Sequence, residues 1–156
     1  MEISDSPVAS TGMLIRKPPA EVFEAFIDPE ITSQFWFSRG SGRLVAGATV
    51  QWEWKMYDFT IPVEVKEIEA NQRIVIEWPG ESGKTTVEWV FEPRGPDKTF
   101  VTISNSGFGG DGDSQVRQAL VSMEGFALVL AGLKAYLEHG IRLNLVDDRF
   151  PKPESN

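Results

Sequence analysis

The side chains in this sequence with the chemistry of a catalyst are few and poorly grouped. His139 is the single histidine and could serve as a general base or metal ligand. At the end of a long apolar segment it equally suits a helix C-terminus, where the dipole favours a cation. Its place on the helical wheel points away from the apolar stripe, so the second role is expected. One His and no Cys exclude the common zinc sites, and no metal is expected. A Ser–His–Asp arrangement would have to be built on that same outward His139. Asp111 and Asp113 in Gly107–Asp113 (GFGGDGD) supply too few oxygens for a firm cation site. The loop lacks the Lys-Ser/Thr and the glycine spacing of phosphate-binding fingerprints. Glu53, Glu64, Glu77, Glu88 and Glu92 share the polar parity of their segments and read as a solvated sheet face. Tyr57 and Asp58 remain as acid/base candidates. No catalytic residue and no cofactor is assigned.

The aromatic residues form the stronger pattern. Five Trp and ten Phe are a large aromatic volume for 156 residues. Trp52, Trp54, Trp78, Trp89 and Phe91 share the apolar parity of strand-like segments. Phe35 and Trp36 follow two short helical segments. Such a set makes either a dense core or the wall of a pocket, where indole N–H groups could meet a ligand oxygen. The candidate lining is Phe35, Trp36, Trp52, Trp54, Val63, Ile76, Trp78, Val87, Trp89, Phe108, Met123, Ala127 and Leu130.

The elements that must position these residues follow from periodicity. Val8–Arg16 reads as a strand, stopped by Lys17-Pro18-Pro19. Val22, Phe23, Phe26 and Ile27 recur at helical spacing over Ala20–Ile27, and Glu30–Gln34 makes a second short turn. From Arg43 to Ser106 the period becomes alternating, with turns at Pro79–Lys84 and Arg94–Asp97 and a bulge near Glu67. Gly107–Asp113 is expected to be a flexible loop gating the pocket. A helix then runs from about Ser114 to His139, capped by Asp113 or Ser114, with Gly140 as its stop. Val116, Ala119, Leu120, Met123, Phe126, Ala127, Leu130, Leu133 and Leu137 form its expected inward stripe. The other face carries Val121, Leu128, Val129 and Tyr136, with Gly125 and Gly132. The tail Ile141–Phe150 or a second subunit, giving a homodimer, is expected to cover it.

Strands bracketed by short helices and one long C-terminal helix give an α+β fold, a curved antiparallel sheet wrapped around that helix. Residues 8–150 are expected to form one domain, with 1–7 and 151–156 as loose ends. The formal charge of −8, from 23 acidic and 15 basic residues, disfavours nucleic acid and anionic membranes. Met1–Ser10 lacks signal-peptide character and no uninterrupted apolar run spans a bilayer, so a cytoplasmic protein without membrane insertion is expected.

Several stretches resemble a known family. Pro19-Ala20-Glu21-Val22-Phe23-Glu24-Ala25-Phe26, then Asp28-Pro29-Glu30 and Phe35-Trp36, resembles the opening signature of the START-like superfamily. With Val63–Trp78, Thr85–Pro93, Ser104-Asn105-Ser106-Gly107-Phe108 and Gly125-Phe126, it is similar to the branch named after the activator of the heat-shock protein 90 ATPase. The resemblance, covering roughly Ser10 to His139, implies the helix-grip fold with a cavity between sheet and helix. Family functions run from carriage of hydrophobic ligands to cyclases, hydrolases and cochaperones. The expected function is non-covalent binding of a small apolar ligand. A cyclase- or hydrolase-type enzyme and a cochaperone-like interaction module are the alternatives.

Overall fold

Prolines set the first boundaries. Strand β1 (Ala9–Ile15) stops short of Pro18-Pro19, and helix α1 (Pro19–Ile27) opens on a proline, whose missing N–H is needed by no helical partner there. Asp28 ends α1 and caps α2 (Pro29–Thr32), its carboxylate accepting from the Glu30 N–H at 3.0 Å. The buried Thr32 hydroxyl donates to the Ala25 carbonyl at 2.6 Å and ties the two helices together.

The alternating region forms β2 (Arg39–Gly40), β3 (Thr49–Trp54), β4 (Phe59–Glu69), β5 (Arg73–Gly80), β6 (Gly83–Pro93) and β7 (Thr99–Ser106). The computed structural model describes residues 1–153. Its seven-stranded antiparallel sheet has the order β1-β7-β6-β5-β4-β3-β2. The register shifts between Val65 and Glu67 opposite β5, which is the bulge that the broken alternation at Ile68 announces. β5 and β6 continue through the expected turn and pair as far as Gly80 and Gly83. The carboxylates at polar parity lie on the outer face in ion pairs such as Glu77–Lys66, Glu64–Lys84 and Glu88–Arg73.

Helix α3 (Gly112–His139) lies across the inner face. Its cap is Asp111, whose side chain accepts from the Ser114 N–H at 2.8 Å, and not the expected Asp113 or Ser114. Gly140 ends it in the left-handed conformation, φ 66°. By length and composition α3 could cross a membrane, but it is the core helix. Phe126, Val129, Leu130 and Leu133 are buried within the core cluster.

The expected stripe is rotated by about a quarter turn. Met123 is 40% and Leu120 59% exposed, and Ala127 is exposed too, whereas Gln118, Val129 and Gly132 are buried. Gly132 permits this placement: a Cβ there would lie 3.1 Å from the Phe35 carbonyl oxygen, so glycine lets α3 approach the chain after α2 closely. A wheel weighted by apolarity puts Val129 and Gly132 on the opposite face, the one expected to meet the tail or a second copy.

The segment after α3 forms α4 (Leu145–Arg149), docked by an Arg149–Glu124 ion pair at 2.7 Å and by the Tyr57 hydroxyl donating to the Phe150 carbonyl. At the other end, the Met1 amino group pairs with Asp113 at 3.0 Å. Of the expected loose C-terminal end, residues 154–156 lie outside the described residues.

Candidate functional site

A cavity of about 420 Å³ opens between the sheet and the N-terminal half of α3. Three features of the sequence leave it empty. Gln118, Ser122 and Gly125 lie on one face of α3 and present short or polar groups to it. A Cβ on Gly125 would have nothing within 4 Å, so the helix yields volume there. The strands opposite curve away, and Trp54, Ile61 and Trp78 line the space without filling it.

The wall is chiefly aromatic. Trp36 stands at its centre, with ring centroids 6.3 Å from Trp54, 6.0 Å from Trp78 and 5.7 Å from Phe126. Trp78 stacks on Phe126 at 5.8 Å and 20°. Phe59, Phe108, Val121, Val129 and Val146 complete the apolar lining, the last from the docked tail.

One polar seam crosses this wall. Trp78 Nε1 donates to Thr85 Oγ1 at 3.0 Å, and Asn105 Nδ2 donates to the same hydroxyl at 3.0 Å and to the Thr86 carbonyl at 2.8 Å. Ser122 Oγ donates to Asn105 Oδ1 at 2.8 Å, joining helix to sheet. Thr85 and Asn105 are 4% and 3% exposed.

The rim carries the charges. Arg117 on α3 grips Glu81 in the β5–β6 turn with bonds of 2.9 and 2.7 Å. The bidentate guanidinium holds the Glu81 carboxyl below its usual range, and the carboxylate raises Arg117 in turn. The adjoining loop is not the free gate expected from its glycines. Gln118 and Gln115 donate to the Gly109 and Gly110 carbonyls at 2.9 Å each. A Cβ on Gly109 would fall 2.4 Å from the Ser82 carbonyl oxygen, so the glycine permits close packing against the hairpin. The feature reads as flexibility in sequence and acts as close approach in the fold.

Of the expected lining residues, Trp36, Trp54, Trp78 and Phe108 border the cavity. Phe35, Trp52, Val63, Ile76, Val87, Trp89 and Leu130 are buried behind it as core, and Met123 and Ala127 sit on the outer face of α3. Parity places a strand residue on the inner face but does not say how far along the strand the cavity reaches. Phe59, Ile61, Thr85, Asn105, Gln118, Ser122 and Gly125 were missed. The Gln118–Ser122–Gly125 spacing is the signal that could have found the helix side.

The acid/base candidates lie elsewhere. Asp58 is exposed and left-handed, φ 51°. Tyr57 lies outside the lining, its hydroxyl bound to Phe150, with its pKa raised by burial and by Asp147. His139 is exposed in the last turn of α3. Among the described residues no three His, Asp or Glu side chains are grouped to hold a metal ion. What the cavity can do chemically is exclude water around an apolar molecule and hydrogen-bond one polar group.

A sequence model described as "Activator of Hsp90 ATPase homolog 1-like protein" matches residues 16–138. A solved protein of Staphylococcus saprophyticus is 34% identical, with 88% of this chain and 96% of that chain covered and a TM-score of 0.74. DynU16, a protein of the dynemicin biosynthetic locus, is 24% identical at a TM-score of 0.74. It aligns with 88% of this chain, which spans 49% of that protein. The dimeric Aha1 of Colwellia psychrerythraea is 19% identical at a TM-score of 0.71, covering 86% of this chain and 98% of that one. No curated protein matches the sequence.

Proposed function

The chain belongs to the activator of Hsp90 ATPase homolog 1-like family, on the START-like fold, and from that premise we propose that it binds a small, mostly apolar molecule in the cavity under α3. The observation that carries this reading is the cavity itself: about 420 Å³, walled by Trp36, Trp54, Trp78, Phe108 and Phe126. That size falls in the range of roughly 300–1,000 Å³ usual for small-molecule sites, as does an apolar wall with few polar groups. A fold kept only for rigidity would gain by filling such space, because an unfilled apolar cavity forfeits packing. The mechanism is burial without covalent chemistry, since the titratable groups of the lining, Glu81 and Arg117, pair with each other at the rim.

Native mass spectrometry of the purified protein tests this. The expected result is a retained small-molecule mass that is lost on denaturation, or saturable binding across a panel of apolar compounds. A ligand-free mass together with no saturable binding overturns the reading.

A second reading concerns self-association. Leu120, 59% exposed, and Met123, 40% exposed, lie side by side three residues apart on the outer face of α3. The related Colwellia fold is a dimer, and a second copy of this chain is the partner that such a pair fits. Sedimentation velocity over a concentration series decides it.

A further inference from the structure

The polar seam in the cavity wall is incomplete in one direction, and the missing partner has a definite chemistry. A hydroxyl has one hydrogen to donate and two lone pairs to accept with. Thr85 Oγ1 already accepts from Trp78 Nε1 and Asn105 Nδ2, so both lone pairs are filled, and its own hydrogen has no acceptor among the described residues. The bond from Asn105 Nδ2 to the Thr86 carbonyl fixes which way the amide faces. Asn105 Oδ1 therefore accepts from Ser122, leaving the Ser122 oxygen with open lone pairs. The wall thus offers one donor, Thr85, and one acceptor, Ser122, bound to opposite ends of a single side-chain amide. Both residues border the cavity, and Thr85 is 4% exposed.

The open hydrogen of Thr85 and the open lone pairs of Ser122 border the cavity, where water or a bound molecule completes them. A single group that closes both ends accepts from Thr85 and donates to Ser122, as a hydroxyl can. A ketone, ether or carboxylate can only accept. A carboxylate would also be desolvated beside aromatic rings, with Arg117 already held by Glu81. We infer that the cavity's occupant is an apolar molecule bearing an un-ionised hydroxyl, an alcohol or phenol, held between Thr85 and Ser122. This rests on the cavity being a ligand site, and it adds the head group that the site selects.

The test compares naphthalene, 2-methoxynaphthalene, 2-naphthol and 2-naphthoate at neutral pH by titration calorimetry against the wild type, Thr85→Val and Ser122→Ala. 2-Naphthol is expected to bind roughly tenfold more tightly than naphthalene or the methyl ether, the two hydrogen bonds together supplying that factor, with 2-naphthoate the weakest. Each variant, its fold checked by circular dichroism and melting, should abolish the preference for 2-naphthol over naphthalene, whatever the affinity for naphthalene itself. Ser122→Ala carries the test if Thr85→Val disturbs Trp78. Equal binding of 2-naphthol and naphthalene by the wild type overturns the inference and leaves the ligand-binding reading standing. So does a preference for 2-naphthoate, or a 2-naphthol preference that survives in both variants. Failure of all four compounds to bind overturns the inference, and it overturns the ligand-binding reading too if the apolar panel and native mass spectrometry are also negative.

Discussion

Replacing Gly125 by leucine should make the protein more stable and worse at binding, a combination that core or surface positions would not give. Gly125 borders the cavity in the middle of α3, and a Cβ built there meets nothing within 4 Å. Removing glycine from a helix interior gains about 0.8 kcal/mol. Partial burial of the new side chain against Trp78 and Phe126 adds about 1.5 kcal/mol, offset by about 0.7 kcal/mol of lost rotamer freedom. The net of about 1.5 kcal/mol corresponds to a melting temperature higher by about 3–6 °C for a chain of this size. The same leucine occupies volume that a ligand needs, so affinity should fall at least tenfold. Differential scanning fluorimetry and ligand titration on one sample measure both. A destabilised Gly125→Leu would mean that the space before Gly125 is not open. A stabilised variant that binds as well as the wild type would put the ligand elsewhere.

Two further expectations follow from placement and charge. Met123→Arg should fold with a melting temperature within about 2 °C of the wild type, because the side chain is 40% exposed and arginine can reach water from there. If the outer face of α3 pairs two copies, the same variant should sediment as a monomer. Glu138 joins the end of α3 to β1, accepting from the Arg16 N–H at 3.0 Å and from Lys134 Nζ at 2.7 Å. Burial works to raise its pKa, but these bonds, with the charges of Lys134 and His139, outweigh it and leave the carboxyl below its usual range. A lowered folded-state pKa adds stability that is present above the ordinary carboxylate pKa and fades as pH falls through the lowered value. Glu138→Gln should therefore lower stability by about 1–2 kcal/mol at neutral pH and flatten its decline in acid, measured by urea unfolding from pH 7 to pH 3. An unchanged acid limb would remove Glu138 from that role.

The sheet was legible in the sequence because strand parity is a local property. Trp52 and Trp89 alternate with Glu53 and Glu88 along their strands, and the two tryptophans are buried as that alternation requires. β2 was not legible, since a two-residue strand has no period and exists only because Arg39 and Gly40 meet Glu53 and Trp52. Half of the site was hidden for a related reason. A cavity is where side chains are small or polar, and a stripe drawn by apolarity takes in Met123 and Ala127 and leaves out Ser122 and Gly125. The hydrogen bonds that make Thr85 and Asn105 part of the wall cross between strands and helix, 17 to 20 residues apart in sequence, and no local pattern encodes them. Trp78 shows both sides of this. Its inward parity was plain, but its N–H, which could have met a ligand, is already held by Thr85.

The claim that the space under α3 is a ligand site is tested most directly by the indole N–H signals of the five tryptophans in a nitrogen–proton correlation spectrum. Titration with 2-naphthol should shift the signals of Trp36, Trp54 and Trp78, which border the cavity, along a single saturable curve. Those of Trp52 and Trp89, behind it, should move little. Gly125→Leu should abolish the shifts. Uniform or non-saturating changes in the wild type, or shifts confined to backbone amides near Leu120 and Met123, would contradict the account.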